Sequence, residues 1–272
     1  MVSSEKEAIL SLPNPLRLPN TMVLGIIPAR YASTRFPGKP LIDIHGKSMI
    51  QRVYEATKAA NFIDVIVATD DIRIAEHVQA FGGKAVITRD DHVSGTDRCA
   101  EALTIYLETH HTGDTEIQYV VNVQGDEPFI SPIQINELIA ALDGTVELGT
   151  QMLKVTTAEA LFDPGEAKIV LNAKGEVILF SRQAIPYLRN VDPAEWHLRH
   201  TYYRHVGMYA YRKDILAEIT KLAPSSLEKA ESLEQLRWLE AGYKIQVVET
   251  TYDSPCIDTP EDLNKLTHLF NS

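Results

Sequence analysis

No stretch of this 272-residue sequence approaches the roughly 18 consecutive apolar residues that a bilayer-spanning helix needs, so a membrane protein is not expected. Positive charge is scarce as well. Lys and Arg number 26 against 37 Asp and Glu, a formal net charge of -11, which argues against general binding to nucleic acid or to an anionic membrane. Any phosphate ligand must then be held by a local basic cluster or by a metal. Cysteine is nearly absent: Cys99 and Cys256 lie far apart and form no ligand motif, the pattern of reduced thiols in a cytoplasmic protein. Residues 1–20 lack a basic start followed by an apolar run, so no secretory signal is expected there. Their Leu/Pro/Asn texture suggests an irregular arm instead. Two glycine fingerprints are missing too. Gly38-Lys39 is followed by proline rather than Ser or Thr, so it is not a Walker loop, and no GxGxxG follows the first strand pattern. ATPase and NAD-dependent oxidoreductase readings weaken accordingly.

What is present is an α/β pattern, with an apolar content of 44%, enough for a substantial core. From Met22, short β-branched runs alternate with amphipathic stretches, the signature of a mostly parallel sheet flanked by helices. Strands are expected at Val23–Ile27, Asp64–Val67, Lys84–Ile87 and Tyr119–Val123. Helices are expected at Ser48–Ala60, Ile72–Phe81 and Thr96–Thr109. Ser131-Pro-Ile-Gln134 reads as a capping box opening a helix to about Leu142. The texture then becomes β-rich: Gln151–Thr156, a hairpin of Lys168–Leu171 and Glu176–Phe180 turning at Asn172–Gly175, and Val206–Tyr211. A helix capped at Ser225 is expected to run to about Glu240, followed by a strand at Lys244–Glu249 and a helix capped at Thr259. The expectation is an arm at 1–20 and one domain at 21–272, with a subregion at about 150–212 covering the crevice of the sheet.

Chemistry concentrates where the strands end, the edge at which open α/β sheets place ligands. Pro28-Ala-Arg-Tyr-Ala-Ser-Thr-Arg-Phe-Pro-Gly-Lys39 follows the first strand and puts Arg30, Arg35 and Lys39 among small residues, a cationic pocket suited to a polyphosphate. The bland reading is a solvated basic loop. Asp126 follows an apolar strand in Gln124-Gly-Asp-Glu-Pro128, and Asp258 precedes a helix cap. Both are hard oxygen ligands suited to Mg²⁺, with Glu127 as a competitor, although either aspartate equally suits a turn. Ala68-Thr69-Asp70 and Ser94-Gly-Thr-Asp-Arg98 would close the other edge, where hydroxyl and amide groups read a base or Ser94 simply caps a helix. His205 reads first as a structural histidine. Glu234 and Gln235 read first as a solvated face of a helix whose stripe is Leu227, Ala230, Leu233 and Leu236.

Taken in order, these blocks, with Phe-Ser-Arg182, Arg-His205, Leu-Glu-Gln-Leu-Arg237 and Asp-Thr-Pro-Glu-Asp262, resemble the CMP-Kdo synthetases, the 3-deoxy-manno-octulosonate cytidylyltransferases of lipopolysaccharide synthesis. The resemblance covers essentially everything after residue 21. It implies a nucleotidyltransferase-type, Rossmann-like α/β fold, with helices on both faces of a mixed, mostly parallel sheet and a smaller β-rich lid or dimerisation region. It also implies a cytoplasmic homodimer with Mg²⁺ as cofactor, and CTP and Kdo as substrates, the anomeric hydroxyl of the sugar attacking the α-phosphorus. At matching positions it implies that Arg30 and Lys39, beside Pro28 and Ala29, hold the triphosphate. Ala68, Thr69, Asp70, Ser94 and Arg98 would border the nucleotide. Asp126 and Asp258 would hold Mg²⁺, and Arg35, Gln124, His205, Tyr209, Glu234 and Gln235 would border the sugar acid. A cytidylyltransferase for another acid sugar is the nearest alternative, and a non-catalytic nucleotide-binding protein the alternative of a different class. Two stretches depart from the family pattern: residues 1–20 and Pro164-Gly-Glu-Ala-Lys168.

Overall fold

The computed structural model describes residues 22–32, 36–110 and 117–266; the expected N-terminal arm and Arg35 lie outside the described residues. Strand β1 (Met22–Ala29) is followed by a 3-10 turn at Lys39–Leu41 and a small hairpin, β2 (Asp43–Ile44) and β3 (Lys47–Ser48). Next come α1 (Met49–Lys58), β4 (Asp64–Thr69), α2 (Ile72–Ala80), β5 (Ala85–Ile87), α3 (Gly95–Thr109), β6 (Ile117–Asn122) and α4 (Pro132–Ala140). The second half holds β7 (Leu148–Lys154), α5 (Ala158–Phe162), β8 (Lys168–Leu171), β9 (Val177–Ser181), α6 (Trp196–Arg199) and β10 (Tyr203–Arg212). It closes with α7 (Lys213–Ile219), α8 (Ser226–Glu231), α9 (Gln235–Glu240), β11 (Ile245–Thr250) and α10 (Pro260–Leu266).

The main sheet runs β11-β7-β10-β6-β1-β4-β5. β6, β1, β4 and β5 are parallel, as are β11 and β7, and β10 alone runs against its neighbours on this path. β10 is also the hinge between the sheet and the β-rich middle: its first residues pair with β8, which forms the expected hairpin with β9. The nearly continuous apolar texture of β1 follows from burial on both faces. Leu24 and Ile26 pack into a core with Cys99, Leu103 and Leu216. Val23 and Ile27 pack with Ile50, Val53, Ile74 and Leu138 on the opposite face. Helices therefore cover both faces of the sheet.

Two local expectations fail for identifiable reasons. Ser131 caps α4, but its hydroxyl accepts from the N–H of Ile133 rather than Gln134. Gln134 is wholly buried and its side-chain amide meets no hydrogen-bond partner, so no reciprocal box forms. The helix expected from Ser225 to Glu240 is two helices. Its capping box is present between Ser225 and Glu228, yet Ser232 adopts φ 53° and ends α8. Arg182 fastens that break, donating to the carbonyls of Glu231 at 2.7 Å and Ser232 at 3.3 Å. Leu227 is left exposed while Leu233 and Leu236 are buried, so the stripe belongs to two differently oriented pieces.

The start of β4 is tied to its surroundings by Asp64, whose side chain is 8% exposed. It accepts from Lys84 Nζ at 2.5 Å, Tyr106 Oη at 3.0 Å and the N–H of Val65 at 2.9 Å. Burial pushes the carboxyl upward, but these donors outweigh it and hold its pKa below the ordinary 3.8. The stabilisation is therefore present above about pH 4 and lost as pH falls through the lowered folded value. Asp64→Asn should cost about 1–3 kcal/mol at pH 7. In denaturant titrations the deficit should shrink on acidification.

Candidate active site

A cleft of about 340 Å³ opens at the carboxyl ends of β1 and β6. Pro28, Ala29, Arg30, Lys39, Ser94, Arg98, Gln124, Asp126 and Asp258 line it, together with Pro40, His92, Val93, Gly95 and Gly125. Its walls come close because two positions carry no side chain. A Cβ on Gly125 would sit 2.8 Å from the Pro28 carbonyl, a contact that only glycine avoids. Gly38, at φ 71°, lets the loop turn back so that its N–H donates to the Tyr31 carbonyl at 3.0 Å, placing Lys39 at the start of the 3-10 turn. The guanidinium of Arg73 lies over the Tyr31 ring at 3.4 Å and steadies the same segment.

Lys39 is the centre of the cleft. Its Nζ donates to Asp126 Oδ2 at 2.8 Å and to Asp258 Oδ1 at 3.0 Å, joining carboxylates 132 positions apart in sequence. Burial alone would lower the ammonium's pKa; the two carboxylates outweigh it and hold the pKa above 10.5. Asp258 reaches this position because Ile257 is fully buried against Ile44 and Met49, and the Ile257 N–H donates to the Asp126 carbonyl at 2.9 Å. Asp262, in turn, accepts from the N–H groups of Asp258 and Thr259. Two hard oxygen donors that converge on one cationic group suit a divalent ion. Among the described residues no cluster of three or more acidic, His or Cys side chains could hold a metal. Two carboxylates alone would leave most of a divalent ion's shell to other oxygen donors. Glu127 is not part of it: its carboxyl is 7% exposed as a residue, accepts from Ser254 Oγ at 2.8 Å, and is pushed by burial up to about 8.

The other end of the cleft is polar and organised by α3. Ser94 caps the helix, accepting from the Asp97 N–H at 3.1 Å, and also lines the cleft. Arg98 is buried, pairing with Asp70 at 3.2 Å and donating to Thr88 Oγ1 at 2.6 Å. Ala68 and Thr69, expected at the nucleotide, are wholly buried at the end of β4, and neither lines the cleft. Thr69 Oγ1 instead accepts from the Asp71 N–H at 3.2 Å in the local turn. Asp70 bears on the site through Arg98 rather than by lining it.

Of the expected sugar-side residues among those described, Gln124 lines this cleft, and His205, Tyr209, Glu234 and Gln235 lie behind it. Gln124 Nε2 donates to the Gly207 carbonyl at 3.0 Å, at a bulge in β10 whose register shifts between Val206 and Tyr209. His205 and Tyr209 flank that bulge with ring centroids 5.1 Å apart, and Tyr209 meets Trp238 of α9 edge-on. The break at Ser232 turns Glu234 and Gln235 inward. Gln235 is 5% exposed, and Glu234 accepts from Thr96 Oγ1 at 2.9 Å, so neither sits on a solvated face. The Tyr209 hydroxyl and Asn122 Oδ1 are buried without a hydrogen-bond partner, leaving polar capacity at this wall. Pro164–Lys168 packs behind it. Lys168, 1% exposed, donates to the carbonyls of Asp163 and Glu166, and Arg204 bridges Glu166 and Asp253.

The cytidylyltransferase family matches residues 24–245. The 3-deoxy-manno-octulosonate cytidylyltransferase of Cytophaga hutchinsonii is 55% identical over 251 residues, covering 92% of this chain and 98% of its own. The protein of that name from Geobacter metallireducens is 45% identical, with 90% and 96% covered. The chain belongs to the 3-deoxy-manno-octulosonate cytidylyltransferase family. A solved structure of a CMP:2-keto-3-deoxy-manno-octonic acid synthetase complexed with CTP superposes with a TM-score of 0.82 at 41% identity, covering 92% of this chain and 98% of that one. The 4-diphosphocytidyl-2C-methyl-D-erythritol synthase of Anaerococcus prevotii shares the fold at 14% identity and a TM-score of 0.55.

For a cytidylyltransferase of this family, residue-type reasoning missed His92 and Val93 in the cleft and the Thr96–Glu234 bond beside it. An Asp-Asp-His run before a helix cap carries no sequence signal of its own; only the fold turns it inward. His205 is held neutral. Burial, with Arg204 nearby, drives its pKa down to about 3, and its Nε2 lies 3.0 Å from Thr150 Oγ1, which itself donates to the Met208 carbonyl. Between the ordinary value of 6.5 and that lowered one, the unfolded chain binds a proton that the folded chain does not, so stability falls as pH drops through this window. His205→Phe should flatten the dependence of melting temperature on pH from 7 down to about 4.

Proposed function

We propose that this chain transfers CMP from CTP to the anomeric hydroxyl of Kdo, forming CMP-Kdo and releasing pyrophosphate. The observation that carries the reading is the convergence of Lys39, Asp126 and Asp258 in a cleft that also holds Arg30, in a chain 55% identical to a relative named for this activity. Arg30 and Lys39 are the cations for the triphosphate. Asp126 and Asp258 are the oxygen donors for Mg²⁺, which would neutralise phosphate charge and favour deprotonation of the attacking hydroxyl. When the nucleotide arrives, Lys39 exchanges a carboxylate partner for a phosphate oxygen, so the cleft gains an anion without burying a bare charge. Gln124, His205, Tyr209, Glu234 and Gln235 form the sugar wall, with Arg35 as the guanidinium for the sugar carboxylate. His205, neutral and bonded to Thr150, orients the sugar and does not act as a base.

The reading is supported by what the site lacks the need for. In-line phosphoryl transfer asks for positioning and charge neutralisation more than for covalent protein chemistry. Both are supplied here by groups held from strand ends. The surroundings we assign are cytoplasmic. Cys99 and Cys256 are unpaired, and among the described residues no helix is long and apolar enough to cross a membrane. We further assign a homodimer, supported by Tyr187, Leu198 and Phe162, apolar side chains 75%, 72% and 45% exposed on the β-rich middle region. Sedimentation should give twice the chain mass, and Leu198→Asp should shift it toward the monomer.

Pyrophosphate release should require CTP, a divalent ion and Kdo together, with sialic acid giving little. Asp126→Ala and Asp258→Ala should each abolish turnover, and Lys39→Ala should lower kcat about 10²–10³-fold. Release without sugar, or near-normal activity of Asp126→Ala, would overturn the reading.

A further inference from the structure

Strand β11 ends at Thr250 and α10 begins at Pro260, and the stretch between them, which carries Asp258, forms no helix or strand over residues 251–258. It has no ladder of backbone bonds to hold it. The Tyr252 N–H donates to Thr250 Oγ1 at 3.2 Å, the Ile257 N–H to the Asp126 carbonyl at 2.9 Å and the Asp258 N–H to Asp262 at 3.1 Å. A segment of this kind opens locally at a cost set largely by the side chains that fasten it.

Two fastenings meet it midway, at adjacent residues. Arg204 Nη2 donates to Asp253 Oδ1 at 2.6 Å, and Ser254 Oγ donates to the buried Glu127 at 2.8 Å. The Arg204 side chain is only 16% exposed and stands on the part of β10 that pairs with both β7 and β8. Its other terminal nitrogen donates to Glu166 Oε2 at 3.0 Å. A fully exposed ion pair would hold little, because water and salt screen it. Here a mostly buried guanidinium on a sheet strand bonds two carboxylates at once, which a planar fork does with little loss of freedom.

Placement in the chain determines what these contacts can do. Burial of Ile257 fixes the far end of the segment, and Asp262 takes the backbone just beyond it. Asp253 and Ser254 fix its middle, a few residues before Asp258. Ser254 is tied to Glu127, the neighbour of Asp126, so the two segments that supply the cleft carboxylates are joined here a second time. Arg204, Asp253 and Ser254 do not themselves line the cleft.

Resting on the reading of Asp126 and Asp258 as the donors for a divalent ion, we infer that Arg204, acting through Asp253, is a positioning residue for Asp258, with Ser254 as the matching contact on the Glu127 side. These contacts govern how tightly the ion is held and take no part in the transfer itself. Because Arg204 also holds Glu166 and directly precedes His205, the β-rich middle and the segment bearing Asp258 share one fastener.

Asp253→Ala breaks the bond from its outer side. In the ligand-free chain, hydrogen exchange at the Ile257 amide should quicken about three- to tenfold, with amides of β1 and β6 unchanged. In turnover with saturating CTP and Kdo, the Mg²⁺ concentration for half-maximal rate should rise by a similar factor, with kcat recovered at high Mg²⁺ and KM for Kdo within about twofold of wild type. Asp253→Asn, whose amide oxygen still accepts from the guanidinium, should recover most of both effects. Arg204→Met should raise the Mg²⁺ requirement as well, and adding Asp253→Ala to it should do no further harm, as expected of two partners in one bond. A wild-type chain that turns over without a divalent ion would overturn the reading of the metal donors. A Mg²⁺-dependent wild type whose Asp253→Ala variant keeps both the exchange rate at Ile257 and the Mg²⁺ requirement would overturn this inference alone, as would a loss of kcat that high Mg²⁺ does not recover.

Discussion

The ammonium of Lys39, bonded at once to Asp126 and Asp258, is the contact on which the rest of this site depends. Two carboxylates within reach of one atom would repel each other across a half-buried cleft without a cation between them. The fold goes to some length to create that arrangement. Asp126 comes from the loop after the central strand β6, and Asp258 from a segment nearly at the end of the chain that crosses back to it. A backbone bond from Ile257 to Asp126 registers the two segments to each other, and the burial of Ile257 keeps them there. The lysine thus serves as a resident counter-ion, in a place where a divalent ion and phosphate oxygens can take over its partners.

A second constraint follows from the sheet. Because β10 runs antiparallel between β6 and β7, its bulge at Gly207 arrives beside Gln124, at the same edge where the parallel strands end. One strand thereby brings the polar wall carrying His205 and Tyr209 up to the cleft. The break at Ser232 does the same from the opposite side, turning Glu234 and Gln235 toward Thr96 and Trp238. The cleft and the polar wall beside it are consequently held by rigid elements and share α3, whose first turn carries Ser94 and Arg98 on one side and Thr96 on the other. One turn on, Glu101 and Arg98 grip the backbone of Arg89 from outside.

Much of this was legible from residue order. Alternation of β-branched and amphipathic runs gave the parallel strands within one or two residues, since burial on both faces demands apolar runs there. Arg30, Lys39, Asp126 and Asp258 stood out because they fall where strand patterns end in an acidic chain, although a solvated basic loop or a turn offered each a blander reading. What was not legible depended on direction rather than type. Nothing in Ala68-Thr69 shows that both side chains turn into the core, leaving Asp70 to act through Arg98. Helix periodicity ran through Ser232 unbroken, because serine is tolerated in a helix and the bonds that hold its left-handed turn come from Ser181 and Arg182, fifty positions away. His92 was invisible for the same reason: its meaning lies in a carboxylate nine positions away on a helix face.

The central claim is that the two carboxylates bridged by Lys39 are a divalent-ion site for the nucleotide's phosphates. A crystal structure of the chain with CTP and Mn²⁺, read by the anomalous signal of the metal, tests it most directly. The account predicts a metal peak about 2.0–2.3 Å from carboxylate oxygens of both Asp126 and Asp258, with Lys39 Nζ moved onto a phosphate oxygen. A nucleotide bound with Lys39 still bridging both aspartates, and the metal held elsewhere, would contradict it.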